Sequence, residues 1–152
     1  MKGLIQRVSE ASVVVDGQTI GAIQRGILLL LGVERDDSEA DASKLCQKIT
    51  SYRIFPDEQG RMNRSLKDMA GGLLIVPQFT LAADTGSGTR PGFSSAAAPD
   101  QANQMFEFFA GESRRMLGEE RVSVGRFGAD MKVSLVNDGP VTFMLQTGRQ
   151  NG

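Results

Sequence analysis

Leu73-Leu74-Ile75-Val76-Pro77-Gln78-Phe79-Thr80-Leu81 changes character in its middle, and the reading of the fold starts there. Four apolar residues, two of them β-branched, follow Gly71-Gly72 and run straight into a proline, an amide, an aromatic ring and a hydroxyl. A short unbroken apolar run of this kind predicts a strand buried on both faces. The polar groups then stand at its C-terminal end, where a rigid strand can aim side chains into a crevice. The same residues also fit a core strand passing into an ordinary loop, and both readings stand on this stretch alone.

On the N-terminal side, Leu4 to Val15 is rich in Val and Ile and ends at Asp16-Gly17, a two-residue hairpin signal before Gln18-Thr19-Ile20. Ile27 to Val33 is a continuous apolar run that suits a central strand better than an edge. Asp36-Asp37-Ser38 supplies helix-start residues, and Ala42, Leu45, Cys46 and Ile49 follow at helical spacing. Cys46 then belongs to the packed face, where free cysteine is usually found, and no function is assigned to it. Arg53-Ile54-Phe55 predicts a short strand ending at Pro56, with a turn over Asp57 to Gly60. In Arg61-Met62-Asn63-Arg64-Ser65-Leu66-Lys67 the basic side chains fit a solvated hairpin tip, the favoured reading, or a small phosphate-contacting patch.

On the C-terminal side, Asp84 to Ser94 is a glycine-rich loop of functional length. It lacks the Gly-Lys-Ser/Thr ending of a nucleotide-binding loop, so that assignment fails. Pro99 opens a second helix, whose Ala102, Met105, Phe106, Phe109, Ser113, Met116 and Leu117 repeat at helical spacing up to the stop at Gly118. Val122-Ser123-Val124, Met131 to Val136 and Val141 to Leu145 alternate at period two and predict strands. Asn137-Asp138-Gly139-Pro140 has the composition of a turn between the last two, and Gly148 to Gly152 that of a frayed tail. The expected architecture is mixed α/β: a barrel-like β framework with two covering helices.

The composition bounds the chemistry. At 152 residues the chain is expected to form one domain, residues 1–152, able to bury a full core without disulfide or metal staples. With one cysteine and no secretory signal pattern, a cytoplasmic protein is expected, and no apolar run reaches the ~20 residues of a membrane helix. The net charge of −1 restricts any nucleic-acid contact to a local one. The count of zero histidines is the most restrictive fact, because it removes the Ser-His-Asp and Cys-His arrangements and, with one cysteine, the usual zinc sites. Catalysis must use hydroxyls, amides, carboxylates, backbone groups or the substrate, and no metal or cofactor is expected.

Pro77-Gln78-Phe79-Thr80-Leu81 and Asn137-Asp138-Gly139-Pro140-Val141-Thr142 together resemble the D-aminoacyl-tRNA deacylase family, whose signatures are Ser-Gln-Phe-Thr-Leu and Asn-X-Gly-Pro-X-Thr. Gln6-Arg7-Val8, Gly60-Arg61-Met62-Asn63, Arg90-Pro91-Gly92-Phe93 and Phe127-Gly128-Ala129 followed by Met131 fall in family order, so the likeness covers nearly the whole chain. It implies a homodimer that hydrolyses the ester joining a D-amino acid to the 3′-terminal adenosine of tRNA, and also glycyl-tRNA mischarged on tRNA-Ala. The implied partner is the acceptor end of aminoacyl-tRNA, with neither DNA nor membrane. By the same resemblance Gln78, Phe79 and Thr80 are the catalytic group. Gly139 and Pro140 form a wedge inserted through a cis bond into the other subunit's site, and Arg7, Phe127 and Met131 are supporting residues of the site as a whole.

The physics of the implied task is steric. L and D substrates carry the same groups, so a rigid backbone placed where the L side chain projects excludes one hand and passes glycine. Thr80 lacks a histidine base, which disfavours a covalent mechanism and favours backbone N–H groups at Phe79 and Thr80 aided by the ribose 2′-hydroxyl. Two departures from the family pattern matter. Pro77 stands where serine is usual, removing a hydroxyl and an N–H. Ser87-Gly88-Thr89-Arg90 lacks a lysine often found in that loop, and Gly92 replaces a common serine.

Overall fold

The structure is a computed structural model that describes residues 1–148. Strand β1 (Lys2–Val15) turns through Asp16 and Gly17, both at positive φ, into the antiparallel β2 (Gln18–Ile23), and β3 (Gly26–Gly32) returns along the first half of β1. Helix α1 (Glu39–Ser51) starts at Ser38, whose hydroxyl accepts from the Asp41 N–H while the Asp41 carboxylate accepts from the Ser38 N–H, a reciprocal cap. A small hairpin of β4 (Phe55–Pro56) and β5 (Met62–Arg64) leads into a four-residue helix α2 (Leu66–Met69). Then come β6 (Gly72–Pro77), α3 (Pro99–Leu117), β7 (Val122–Val124) and β8 (Lys132–Gln146).

The sheet runs β2-β1-β3-β6-β7, with β8 on β1 as a further strand. β3 and β6 are parallel neighbours, Leu28 opposite Leu74 and Leu29 opposite Ile75, and β6 is also parallel to β7. Their continuous apolar sequences are explained by two cores, one on each face. Ile27, Leu29, Leu73 and Ile75 pack against the helices, whereas Leu28, Leu74 and Val76 face an interior shared with Val8, Ala11, Val13 and Val15. On β1 the buried parity changes between Val8 and Ala11, where its pairing with β8 is irregular. The far edges come together where Ser123 Oγ donates to the Ala22 carbonyl at 3.1 Å, so the sheet curls into a nearly closed barrel. Helices α1 and α3 lie against each other on the outer face, with Cys46 Sγ 3.3 Å from Ser113 Oγ inside the contact.

Three expectations need correction. The residues Asn137 to Pro140 are not a turn between two strands. The chain does not reverse there, because both halves of β8 run antiparallel to the same β1. Gln6 pairs with Thr142 and Val8 with Asn137, so Asp138, Gly139, Pro140 and Val141 bulge out opposite Arg7 alone. The α-helices number three among the described residues, since Ser65 and Asp68 form a second reciprocal cap that nucleates α2 within the expected basic hairpin tip. Pro56 belongs to β4, while Arg53 and Ile54 precede it in irregular chain. The expected frayed tail lies, beyond Gly148, outside the described residues.

Candidate functional site at the end of β6

Pro77 closes β6, and Gln78 makes the last link to β3 by donating its N–H to the Leu31 carbonyl at 2.8 Å. The chain then winds into one 3-10 turn over Phe79–Ala82. Gly32 permits this. A Cβ there would lie 3.0 Å from Leu81 Cβ and 3.3 Å from the Gln78 carbonyl oxygen, so glycine lets the turn settle closely onto the end of β3 where a side chain would push it outward by a few tenths of an ångström. Phe79 and Thr80 are the first residues of the turn, and their N–H groups have no acceptor within it. The Gln78 side-chain amide donates to Thr80 Oγ1, fixing the two polar groups as a pair.

Phe79 is 60% exposed, unusual for a phenylalanine, and its partner is Phe93 of the glycine-rich loop, with ring centroids 5.4 Å apart. That loop is tied down beside the turn. Asp84 and Gly92 exchange backbone hydrogen bonds of 2.7 and 2.9 Å, and Ser95 Oγ donates to the Ala82 carbonyl at 2.8 Å.

A cleft of about 500 Å³ opens at this point. Its walls are Val76 to Phe79 at the end of β6, Pro99 and Ala102 at the start of α3, and Phe127 to Met131 with Val133. Gly125 holds two of these walls together, because a Cβ on it would meet Met131 Sδ at 2.8 Å and Pro77 Cδ at 3.3 Å. The lining is apolar except for Gln78, Asp130 and backbone groups. No group of three or more His, Cys, Asp or Glu among the described residues is placed to hold a metal ion.

The structure therefore brings Gln78, Phe79, Phe127 and Met131 around one cleft, with Thr80 exposed on the adjoining turn. Arg7, Gly139 and Pro140 do not line it. They meet one another at the β8 bulge, where the Gly139-Pro140 bond is cis and both residues are exposed. Arg7 Nη1 donates to the Ile54 carbonyl at 2.7 Å, and Asn137 closes the base of the bulge by accepting the Val141 N–H at 2.7 Å and donating to Thr142 Oγ1 at 3.0 Å. The walls contributed by Pro99, Ala102 and Val133 escape sequence reasoning as site residues, since none carries a reactive group and only folding juxtaposes them.

A 3-10 turn over Phe79–Ala82, entered through Gln78 at the mouth of an apolar cleft, and a braced Asn-Asp-Gly-Pro bulge on the same small barrel are the two features that a comparison with known proteins must account for, and the family that matches the chain is one of aminoacyl-tRNA ester hydrolases. The family model described as D-Tyr-tRNA(Tyr) deacylase matches residues 4–146, and the chain belongs to that family. It is 65% identical over 150 residues to a D-aminoacyl-tRNA deacylase of Marinobacter nauticus, covering 99% of this chain and 96% of that one. A solved structure described as c-Myc DNA Unwinding Element Binding Protein superposes with a TM-score of 0.94 at 38% identity, over 98% of this chain and 100% of the other. A probable eukaryotic D-amino acid tRNA deacylase shares the fold alone, with a TM-score of 0.80 at 18% identity, over 95% and 97% of the two chains. No helix among the described residues is long and apolar enough to cross a membrane.

Proposed function

We propose that the chain hydrolyses the ester between a D-amino acid, or glycine, and the 3′-terminal adenosine of tRNA, acting as a homodimer whose two sites lie at the subunit interface. One observation carries the reading. The apolar cleft at the end of β6 and the exposed, braced Gly139-Pro140 bulge are separate in one chain, so a site that uses both must take the bulge from another copy. A second copy is the natural source. Strand β8 pairs only with β1 among the described strands, and Val136, Phe143 and Met144 stand exposed along it, an apolar edge of the kind that associates.

In this reading the bulge occupies the volume into which an L side chain projects, so L-aminoacyl esters are refused sterically while D-aminoacyl and glycyl esters enter. Water adds to the ester carbonyl carbon. The free N–H groups of Phe79 and Thr80 hold the resulting oxyanion, and the ribose 2′-hydroxyl helps take the proton from water. The bond to the ribose 3′-oxygen breaks, that oxygen regains a proton, and free amino acid leaves with reusable tRNA. Gln78 and Thr80 position groups.

The test is release of D-tyrosine, L-tyrosine and glycine from the corresponding charged tRNAs at catalytic protein concentration, with sedimentation to weigh the assembly. Release of L-tyrosine as fast as D-tyrosine would sink the filter. A second reading, DNA binding without hydrolysis, draws on the printed description of the 38%-identical solved relative. It would show as mobility shifts with no amino acid released.

A further inference from the structure

A second cleft, of about 410 Å³, adjoins the first, and Phe127 lines both. Helix α3 forms a continuous wall, with Ala102 in the first cleft and Asn103 in the second. Beyond Phe127 the second cleft carries the guanidinium groups of Arg114 and Arg126 against the single carboxylate of Glu107. Among the described residues neither arginine has an ion pair within 4.0 Å. Arg126 is exposed and Arg114 half-buried.

A substrate whose terminal nucleoside and amino acid fill the first cleft must send its preceding phosphodiesters out across one of its rims. The cleft beside the glycine-rich loop offers Lys2 against two carboxylates, Glu34 and Asp84, and would repel phosphates. The cleft beyond Phe127 has the opposite balance. We propose that Arg114 and Arg126 bind the phosphates just upstream of the 3′-terminal nucleotide, with the RNA strand crossing Phe127 between the two clefts. This rests on the proposed activity and adds to it the path of the RNA. The arrangement supplies local positive charge on a chain whose net charge is −1.

Two substrates separate the RNA path from the chemistry: D-tyrosyl-tRNA, and D-tyrosyl-adenosine, which has no phosphates. In Arg114→Gln and Arg126→Gln, kcat/KM on D-tyrosyl-tRNA should fall about three- to tenfold each, and its log–log salt dependence should flatten by about 0.7 for each arginine lost. Hydrolysis of D-tyrosyl-adenosine should stay within about twofold of the wild type, since no phosphate contact is lost there. Arg126→Lys should restore most of the tRNA activity. Arg126 lies exposed outside the core, so its variant reports even if Arg114→Gln folds poorly. An unchanged salt slope, or equal losses on both substrates, would overturn the phosphate path while leaving the deacylase reading intact. A wild type that cleaves neither substrate overturns both.

Discussion

Arg7 Nε donates to the Asp138 carbonyl at 2.9 Å, so the residue of β1 that has no partner on β8, though it pairs with Ile27 of β3 on its other side, holds the bulge that β8 inserts opposite it. The same guanidinium reaches back to the Ile54 carbonyl at 2.7 Å and lies 3.8 Å from an Asp138 carboxylate oxygen. Two fixed donors of a planar fork, Nε and Nη1, brace an otherwise solvent-exposed loop against the barrel.

Removal of that brace should cost both stability and handedness. Arg7→Ala leaves the Ile54 carbonyl without its donor and frees Asp138, a loss of about 1–3 kcal/mol by the cost of deleting a charged hydrogen-bond partner from a partly buried acceptor. Urea unfolding measures the first effect, and the ratio of D- to L-tyrosyl-tRNA hydrolysis the second, which should fall. Arg7→Lys should recover part of the stability but not the ratio, because an ammonium cannot serve two carbonyls in fixed directions. An unaltered ratio in Arg7→Ala would mean that the bulge does not act as the filter.

Gly139 carries φ of +146°, and a Cβ there would fall 2.6 Å from Val141 Cγ2 and 2.9 Å from the Val141 nitrogen. Gly139→Ala must therefore shift the backbone of the bulge, at about 1–3 kcal/mol for a strained conformation. Hydrolysis of D-tyrosyl-tRNA should drop more than thermal stability does, as read by kcat/KM beside a melting curve. Equal activity in the variant would remove this residue from the site.

What could be read beforehand divides along physical lines. Strands β3 and β6 were legible because burial on both faces demands an unbroken apolar run, and α3 because Pro99 and Gly118 mark its ends. The bulge was not, because Asn-Asp-Gly-Pro serves a reversal and an insertion equally well, and only the pairing of both flanks with β1 decides. Helix α2 left a signal in Ser65-Leu66-Lys67-Asp68, a capping pattern that the surrounding arginines masked. For the site, Gln78, Phe79, Phe127 and Met131 were named from motifs and do converge, yet Pro99 and Ala102 join them only because α3 crosses the end of β6.

The cap of α1 predicts a pH dependence. Hydrogen bonding from the Ser38 backbone holds the Asp41 carboxyl below its usual range, with the Ser38 hydroxyl adding to it. A carboxylate whose pKa is lowered by folding stabilises the fold above its unfolded pKa and loses that contribution as pH falls through its folded one. Asp41→Ala should thus cost about 1 kcal/mol at neutral pH, a typical capping contribution. The gap to the wild type should close in acid, below the ordinary aspartate pKa. Denaturant titrations at both ends of that range check it, and a pH-independent gap would contradict the assigned cause.

Thr80 is the residue that motif reasoning most readily makes a nucleophile, and its surroundings argue otherwise. Its hydroxyl accepts from the Gln78 amide, which cannot take a proton from it, and the chain contains no histidine. Thr80→Ala should retain single-turnover hydrolysis within roughly tenfold of the wild type, since a positioning group and not the attacking atom is lost. A substrate ending in 2′-deoxyadenosine should react slower by about a hundredfold or more, the scale of an absent proton-transfer group. Abolished hydrolysis in a folded Thr80→Ala would restore the covalent route.

Gly125 lies behind Met131 and Pro77, two walls of the first cleft, and its substitution separates space from chemistry. Gly125→Ala places a methyl 2.8 Å from Met131 Sδ and 3.3 Å from Pro77 Cδ. The thioether is the flexible partner and must swing into the cleft it lines. The expected result is a rise in KM for D-tyrosyl-tRNA with a smaller loss in kcat, because the space for the amino acid shrinks while the 3-10 turn stays on Gly32. Trimming the displaced side chain in Gly125→Ala/Met131→Ala should return KM toward the wild type, giving a coupling between the two positions of about 0.5–3 kcal/mol, as contacting residues show. Smaller substrates sharpen the prediction. Glycyl-tRNA needs little of that volume, so its hydrolysis by Gly125→Ala should suffer least, and an equal loss for glycyl and D-tyrosyl esters would show that the methyl acts through the fold and not through the cleft.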